Sequence, residues 1–277
     1  MTSTTPADRR TRRDPRGALR LLGVVAFWLV VWQLVAAWVG HDFLFAPPAD
    51  VAERLVDLVP TGDFWSTVWF SFARITLGFG LAVAVGVVLA ALAAWSRVAD
   101  ALLTPFLVAV RAAPVVSFII LVLLVADSGK LAAITSFLMV LPVAYVTVLE
   151  GIRNRDRALL EMATVFEVPL VRRVTAVDVP AVLPFFLAAC RLGVGLAWKS
   201  GVAAEVIGLP DGSIGERLYE AKLFLSSADL FAWTAVIIAV SYGFEKALVA
   251  VLGRAERRLA VGRPTAVAAS AGEGAAA

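Results

Sequence analysis

The chain has 277 residues, 60% of them hydrophobic and only 17% charged. A soluble globular domain is nearer half apolar and a quarter charged, so the composition excludes one and points to an integral membrane protein. The formal net charge is only +3, and a single cysteine (Cys190) and a single histidine (His41) exclude an intrachain disulfide and a cysteine- or histidine-based metal site. No metal and no cofactor is expected.

Residues 1–20 read as a polar tail carrying Arg9, Arg10, Arg12, Arg13, Arg16 and Arg20. Leu21 to Val39 is apolar apart from Gln33 and long enough to cross a bilayer. No small-residue cleavage site follows it convincingly, so it reads as an uncleaved first helix. Gly40 to Trp69 is a polar interval, with a short surface helix over Val51–Val59 capped by Asp50. Ile75–Trp95 is an uncharged span, and Ser96–Asp100 a turn. Pro105, Arg111 and Pro114 interrupt Ala101–Ala126. A straight helix through two prolines is unfavourable, which predicts a surface or re-entrant piece up to Arg111 and a spanning helix from about Ala112 to Ala126. After a turn at Ser128-Gly129, Leu131–Leu149 spans back with a kink at Pro142.

Gly151–Pro184 separates two apolar segments and is rich in charge. Arg153, Arg155, Asp156 and Arg157 cannot lie in hydrocarbon. Leu159, Met162, Ala163 and Phe166 then recur at helical spacing along one face, and Pro169 ends that helix. A second short element, Val171–Val179, closes at Pro180 and Pro184. The pattern is a partly apolar knob held out of the membrane. Without a partner it would read as an amphipathic helix lying on the lipid surface.

Leu183–Val206 is the fifth span, Gly208–Ala228 an acidic, turn-rich loop, and Leu230 to about Leu252 the sixth span. The transmembrane domain is therefore 21–252. Residues 253–277 read as a basic patch and a disordered Ala/Gly/Ser tail. Lys and Arg are concentrated in the N-terminal tail, the 151–184 loop and the C-terminal patch, which predicts that both termini and the loop face the cytoplasm.

The fifth span is unlike the others in carrying Arg191, Lys199 and Glu205 among Gly193, Gly195 and Gly201, whereas Glu245 and Lys246 interrupt the sixth only near its inner end. Two central cations would cost roughly 5–7 kcal/mol on the insertion scale, against about 2–4 kcal/mol returned by its large apolar residues. The helix therefore belongs inside a bundle. Trp198, Lys199, Ser200 and Glu205 are candidates for a translocation path, with Lys199 attracting an anion. The alternative is that Lys199 pairs with Glu205 or a backbone carbonyl and that Arg191 reaches the lipid edge. There is no phosphate-binding loop, no nucleophile–base set and no paired carboxylates, so an enzyme is not expected and uphill transport would draw energy from a partner or an ion gradient.

Glu161-Met162-Ala163, followed by Asp178-Val179-Pro180-Ala181-Val182-Leu183-Pro184, resembles the EAA loop of importer permeases of the ABC transporter superfamily. Gly195–Gly208, Ala228–Thr234, Leu44–Pro48 and Arg74–Phe79 are similar to the nitrate/sulfonate/taurine/bicarbonate branch, so the resemblance runs from about Phe43 to Leu259. It implies an all-α bundle of about six transmembrane helices with the type I ABC importer permease fold and a cytoplasmic coupling helix. Leu159, Glu161, Met162, Ala163, Phe166 and Glu167 would then seat in a groove of an ATPase subunit, with Glu161 shaping the loop by capping or by pairing with an arginine. The family glycine falls on Glu167, and Pro169 is expected to supply the stop instead. The resemblance further implies a multi-pass bacterial inner-membrane protein, surrounded by lipid. It would be a homodimer with two ATPase subunits and a solute-binding protein, the last meeting Asp211, Ser213 and Glu216. No nucleic-acid partner is expected. The solute would be a small anion such as a sulfonate, taurine, nitrate or bicarbonate. A thiamine-precursor pyrimidine is the alternative, and an ion-gradient-driven secondary transporter or a membrane scaffold are further ones.

Overall fold

The computed structural model describes residues 15–41 and 43–260, and the disorder expected for the C-terminal tail from 261 lies outside them, as do Arg9, Arg10, Arg12 and Arg13. The described residues form eleven α-helices and no strand: α1 (Pro15–Val39), α2 (Pro48–Leu58), α3 (Gly62–Trp95), α4 (Arg97–Ala112), α5 (Val115–Leu123), α6 (Ser128–Arg153), α7 (Arg157–Val165), α8 (Leu170–Arg173), α9 (Val179–Gly208), α10 (Ile214–Leu223) and α11 (Ser227–Ala260). A five-residue π-helical turn, Val174–Asp178, joins α8 to α9. Five stretches are long and apolar enough to cross a membrane: α1, α3, α6, the continuous run Leu170–Gly208, and α11. The protein is thus a polytopic all-α membrane protein.

Several boundaries differ from the sequence reading. α3 begins at Gly62, inside the stretch read as a polar interval, because Thr61 Oγ1 caps the Phe64 N–H (3.3 Å) and Asp63 sits in the first turn, where an acid favours the helix dipole. α2 starts at Pro48, and Asp50 lies within its first turn rather than capping it; proline suits that first position since its missing N–H has no intrahelical partner. The turn at Ser96–Asp100 shrinks to Ser96, which caps α4. The spanning helix expected over Ala112–Ala126 does not form. Ala113 is extended before Pro114, α5 has nine residues, and α4 and α5 meet at 99°. This pair makes a sixth crossing only as one broken span. Ser128-Gly129 opens α6 rather than forming a turn, and α6 runs through Pro142. Pro180 and Pro184 do not close an element either, since both lie within α9. Pro180 falls in the first turn of α9, where a missing N–H is tolerated, and Pro184 lies inside the helix beyond it. Gly208–Ala228 contains the helix α10.

By compactness the chain divides into two units. In the first, residues 1–60 with 221–232, the Trp32 indole N–H donates to Ala46 O (3.1 Å), Phe231 packs on Trp32 and Phe45, and Arg54 pairs with Asp229. In the second, residues 61–220 with 233–277, α6 lies along both α3 and α9. Their shared core holds Ile75, Phe79, Val140, Tyr145, Val194 and Trp198, with Phe244 of α11 edge-on to Phe72 and Phe79. Small residues set the spacing. A Cβ on Gly78 would lie 2.2 Å from Ala133 O, and one on Gly201 2.6 Å from Ile75 Cγ1. With no water to expel between lipid-solvated helices, such close backbone approach is what holds them.

Candidate functional site

The 151–184 segment folds into a projecting helix between two long ones. α6 ends at Arg153, and Asp156 caps α7 by accepting from Ala158 N–H (2.9 Å). Of the expected coupling residues, Ala163 is buried, and Leu159, Glu161, Met162, Phe166 and Glu167 are all exposed. Phe166 is 74% exposed, alongside Val165, Leu170 and Val171. These side chains leave an apolar surface on an arginine-rich segment. Glu161 has no hydrogen-bond or ion-pair partner among the described residues, so neither the capping nor the arginine pairing expected of it is formed within the chain.

The turn after α7 corrects one expectation. Pro169 was to replace the family glycine as the stop, yet Glu167 itself takes the left-handed conformation (φ 49°) that glycine favours. Val168 N–H bonds Ala163 O (2.9 Å) and Glu167 N–H bonds Thr164 O (3.1 Å), the paired closure of a Schellman end. A side chain there costs about 1 kcal/mol. Glu167→Gly should therefore raise the melting temperature of the detergent-purified permease by about 2 °C, read by thermal unfolding. A fall would mean that the Glu167 side chain itself stabilises the fold.

Sequence reasoning missed what ties this segment to the bundle. Arg155 donates to Asp178 (2.6 Å) and to Ile152 O (2.6 Å), with Arg173 3.6 Å from the same carboxylate. The clamp links the end of α6 to the π turn. The 23-residue separation of Arg155 and Asp178 left no periodicity to find it by.

α9 presents two faces. Gly193, Ala197 and Gly201 turn to α3 and α6, while Leu192, Gly195, Leu196 and Lys199 turn outward. Lys199 lines two grooves. One, of about 410 Å³, also contains Trp198, Tyr242 and Glu245. The other, of about 630 Å³, lies among α4, α5, α6 and α9 and contains Arg111 and Thr147 with no carboxylate. The remaining path candidates are placed differently. Trp198 is buried in the core and only edges the first groove. Ser200 is buried and donates back to Leu196 O (2.8 Å). Glu205 is fully buried. Its Oε2 accepts from Ser71 Oγ (2.7 Å) and Gly215 N–H (3.3 Å), and Ser71 Oγ in turn accepts from Ile214 N–H (2.9 Å). The carboxylate therefore pins the start of α10 against α3 and does not meet Lys199.

The expected contacts for a binding protein also separate. Asp211 is exposed, whereas Ser213 is fully buried and its Oγ caps α10 at Glu216 N–H (3.0 Å). Glu216 reaches back to Gly212 N–H (2.6 Å). The Ser-x-x-Glu spacing is that of a capping box, with Glu216 bonding the residue before the cap rather than the cap itself, and Ser213 offers no surface.

Residues 82–257 match the family described as binding-protein-dependent transport system inner membrane component. The chain belongs to this family. It is a transport component rather than an enzyme. The match spans the EAA segment, the clamp and α9. A probable ABC transporter permease protein of Brucella melitensis is 32% identical over 205 residues, covering 72% of this chain and 80% of the relative. A Bacillus subtilis permease protein named for aliphatic sulfonates transport is 27% identical over 83% of this chain and 84% of its own length. The taurine transport system permease protein of Escherichia coli is 27% identical over 82% and 85%. These likenesses put the permease in the sulfonate/taurine/bicarbonate branch of ABC importer components and in the inner membrane.

Proposed function

We propose that this permease moves a small anion across the inner membrane by alternating access. It would work as a homodimer over two ATPase subunits, with a solute-binding protein on the opposite face. The observation that carries the anion reading is the groove holding Arg111 and Lys199 with no carboxylate, a surplus of positive charge next to an apolar wall. The exposed apolar face of α7, flanked by Arg153, Arg155, Arg157 and Arg172, supports an ATPase contact on the cytoplasmic side. Both termini would share that side. The family's ATP hydrolysis would then lie on the separate subunit, which α7 engages.

Reconstitution tests the reading. The permease in proteoliposomes with its cognate ATPase and binding-protein chains should accumulate an alkylsulfonate or taurine only when ATP is supplied. Accumulation that proceeds without the ATPase, or that is confined to a neutral pyrimidine, would overturn it.

A further inference from the structure

A third cleft lies at the basic end of the bundle, away from the Lys199 grooves. We propose that it binds an anionic phospholipid, headgroup toward Arg155 and Arg173 and acyl chain along α3 and α9. The cleft has a volume of about 490 Å³ and a divided lining. Val87, Ala91 and Val182 form an apolar wall, and Arg155, Arg173 and Asp178 form one polar end. The wall follows α3 for about 10 Å between Val87 and Ala94, enough for part of one acyl chain.

Charge decides the headgroup. Two guanidinium groups face one carboxylate, and Asp178 is committed to Arg155 at 2.6 Å. Arg173 is left 3.6 Å away, beyond hydrogen-bond distance, and its Nε is shielded from solvent with no acceptor. The Arg173 side chain as a whole is still 35% exposed, and a phosphate oxygen in the cleft would meet the open part of its guanidinium by a charge-assisted bond. Trp95, 90% exposed, stands at the mouth, where aromatic side chains mark the headgroup level. A zwitterionic headgroup would bring its own cation and cancel the attraction. A soluble anion would have no use for the apolar wall. Basic pockets between spanning helices are suited to anionic headgroups for this reason.

The test is native mass spectrometry of the full-length permease, delipidated in mild detergent and titrated with phosphatidylglycerol or phosphatidylcholine. Phosphatidylglycerol should be retained about fivefold better than phosphatidylcholine, an advantage that Arg173→Gln removes and Arg173→Lys largely keeps. Equal retention of the two lipids would overturn the proposal. So would displacement of phosphatidylglycerol by millimolar inorganic phosphate, which would make this a soluble-anion site. Should Arg173→Gln not yield folded protein, Val182→Trp, which fills the apolar wall and leaves both arginines, decides the matter. Loss of retention supports the site, and retention at the wild-type level overturns it.

Discussion

Phe166→Asp should leave the permease in the membrane at its normal level and abolish transport driven by the ATPase. Phe166 is 74% exposed, so the fold loses little when it is replaced. Docked in a partner's groove, a phenylalanine buries at least 150 Å², worth roughly 3–4 kcal/mol at 25 cal/mol per Å². An aspartate forfeits that and brings a charge that must be desolvated. ATPase capture should therefore weaken about a hundredfold or more. Glu161→Lys, which reverses a charge with no partner among the described residues, should act in the same direction and more weakly. Thr164→Lys is the control for Phe166, since helical spacing puts Thr164 off the Leu159–Met162–Phe166 face and its hydroxyl donates to Leu160 O. Pull-down of the ATPase and ATP-dependent uptake in vesicles give the reading. Wild-type capture and uptake by the Phe166 variant would mean that α7 is not the coupling element.

Lys199→Met should cut anion uptake about tenfold or more without lowering the amount of protein in the membrane. Methionine keeps the length of the stem and removes the charge. Lys199 is exposed to the grooves and makes no hydrogen bond or ion pair among the described residues, so its loss does not orphan a buried group. A cation 4 Å from an anion is worth about 4 kcal/mol at an effective dielectric of 20, and hydration in the groove lowers this to roughly 1–3 kcal/mol. Lys199→Arg should retain most of the uptake. Normal transport by the methionine variant, measured with a labelled sulfonate, would remove Lys199 from the path. The binding-protein affinity, measured separately, should not change.

How much of this was legible in the sequence depended on whether the relevant interaction was local. The long apolar runs announced α1, α3, α6, α9 and α11, since a helix that crosses hydrocarbon needs about twenty predominantly apolar residues. The face of α7 was readable from Leu159, Met162, Ala163 and Phe166. The Ser213-x-x-Glu216 spacing spelled out a capping box, although acidity drew the reading toward a surface role. Pro180 and Pro184 misled, because both are accommodated inside α9, Pro180 in its first turn where no N–H is needed. Glu167 misled in the opposite way, as the turn held its shape without its glycine. Glu205 and Lys199 lie six residues apart, and no local pattern distinguishes the residue facing Ser71 and Gly215 from the one facing a groove. The Arg155–Asp178 clamp depends on tertiary placement throughout.

The π turn at Val174–Asp178 has a mechanical corollary. A π turn inserts one residue into a helix without breaking it, and one residue is worth 100° of azimuth and 1.5 Å of advance. Leu170–Gly208 is nonetheless a continuous rod. The side chains beyond the turn, Lys199 among them, therefore face about 100° away from where an unbroken α-helix would put them. Arg155, at the end of α6, holds the rod at Asp178, where that offset is set.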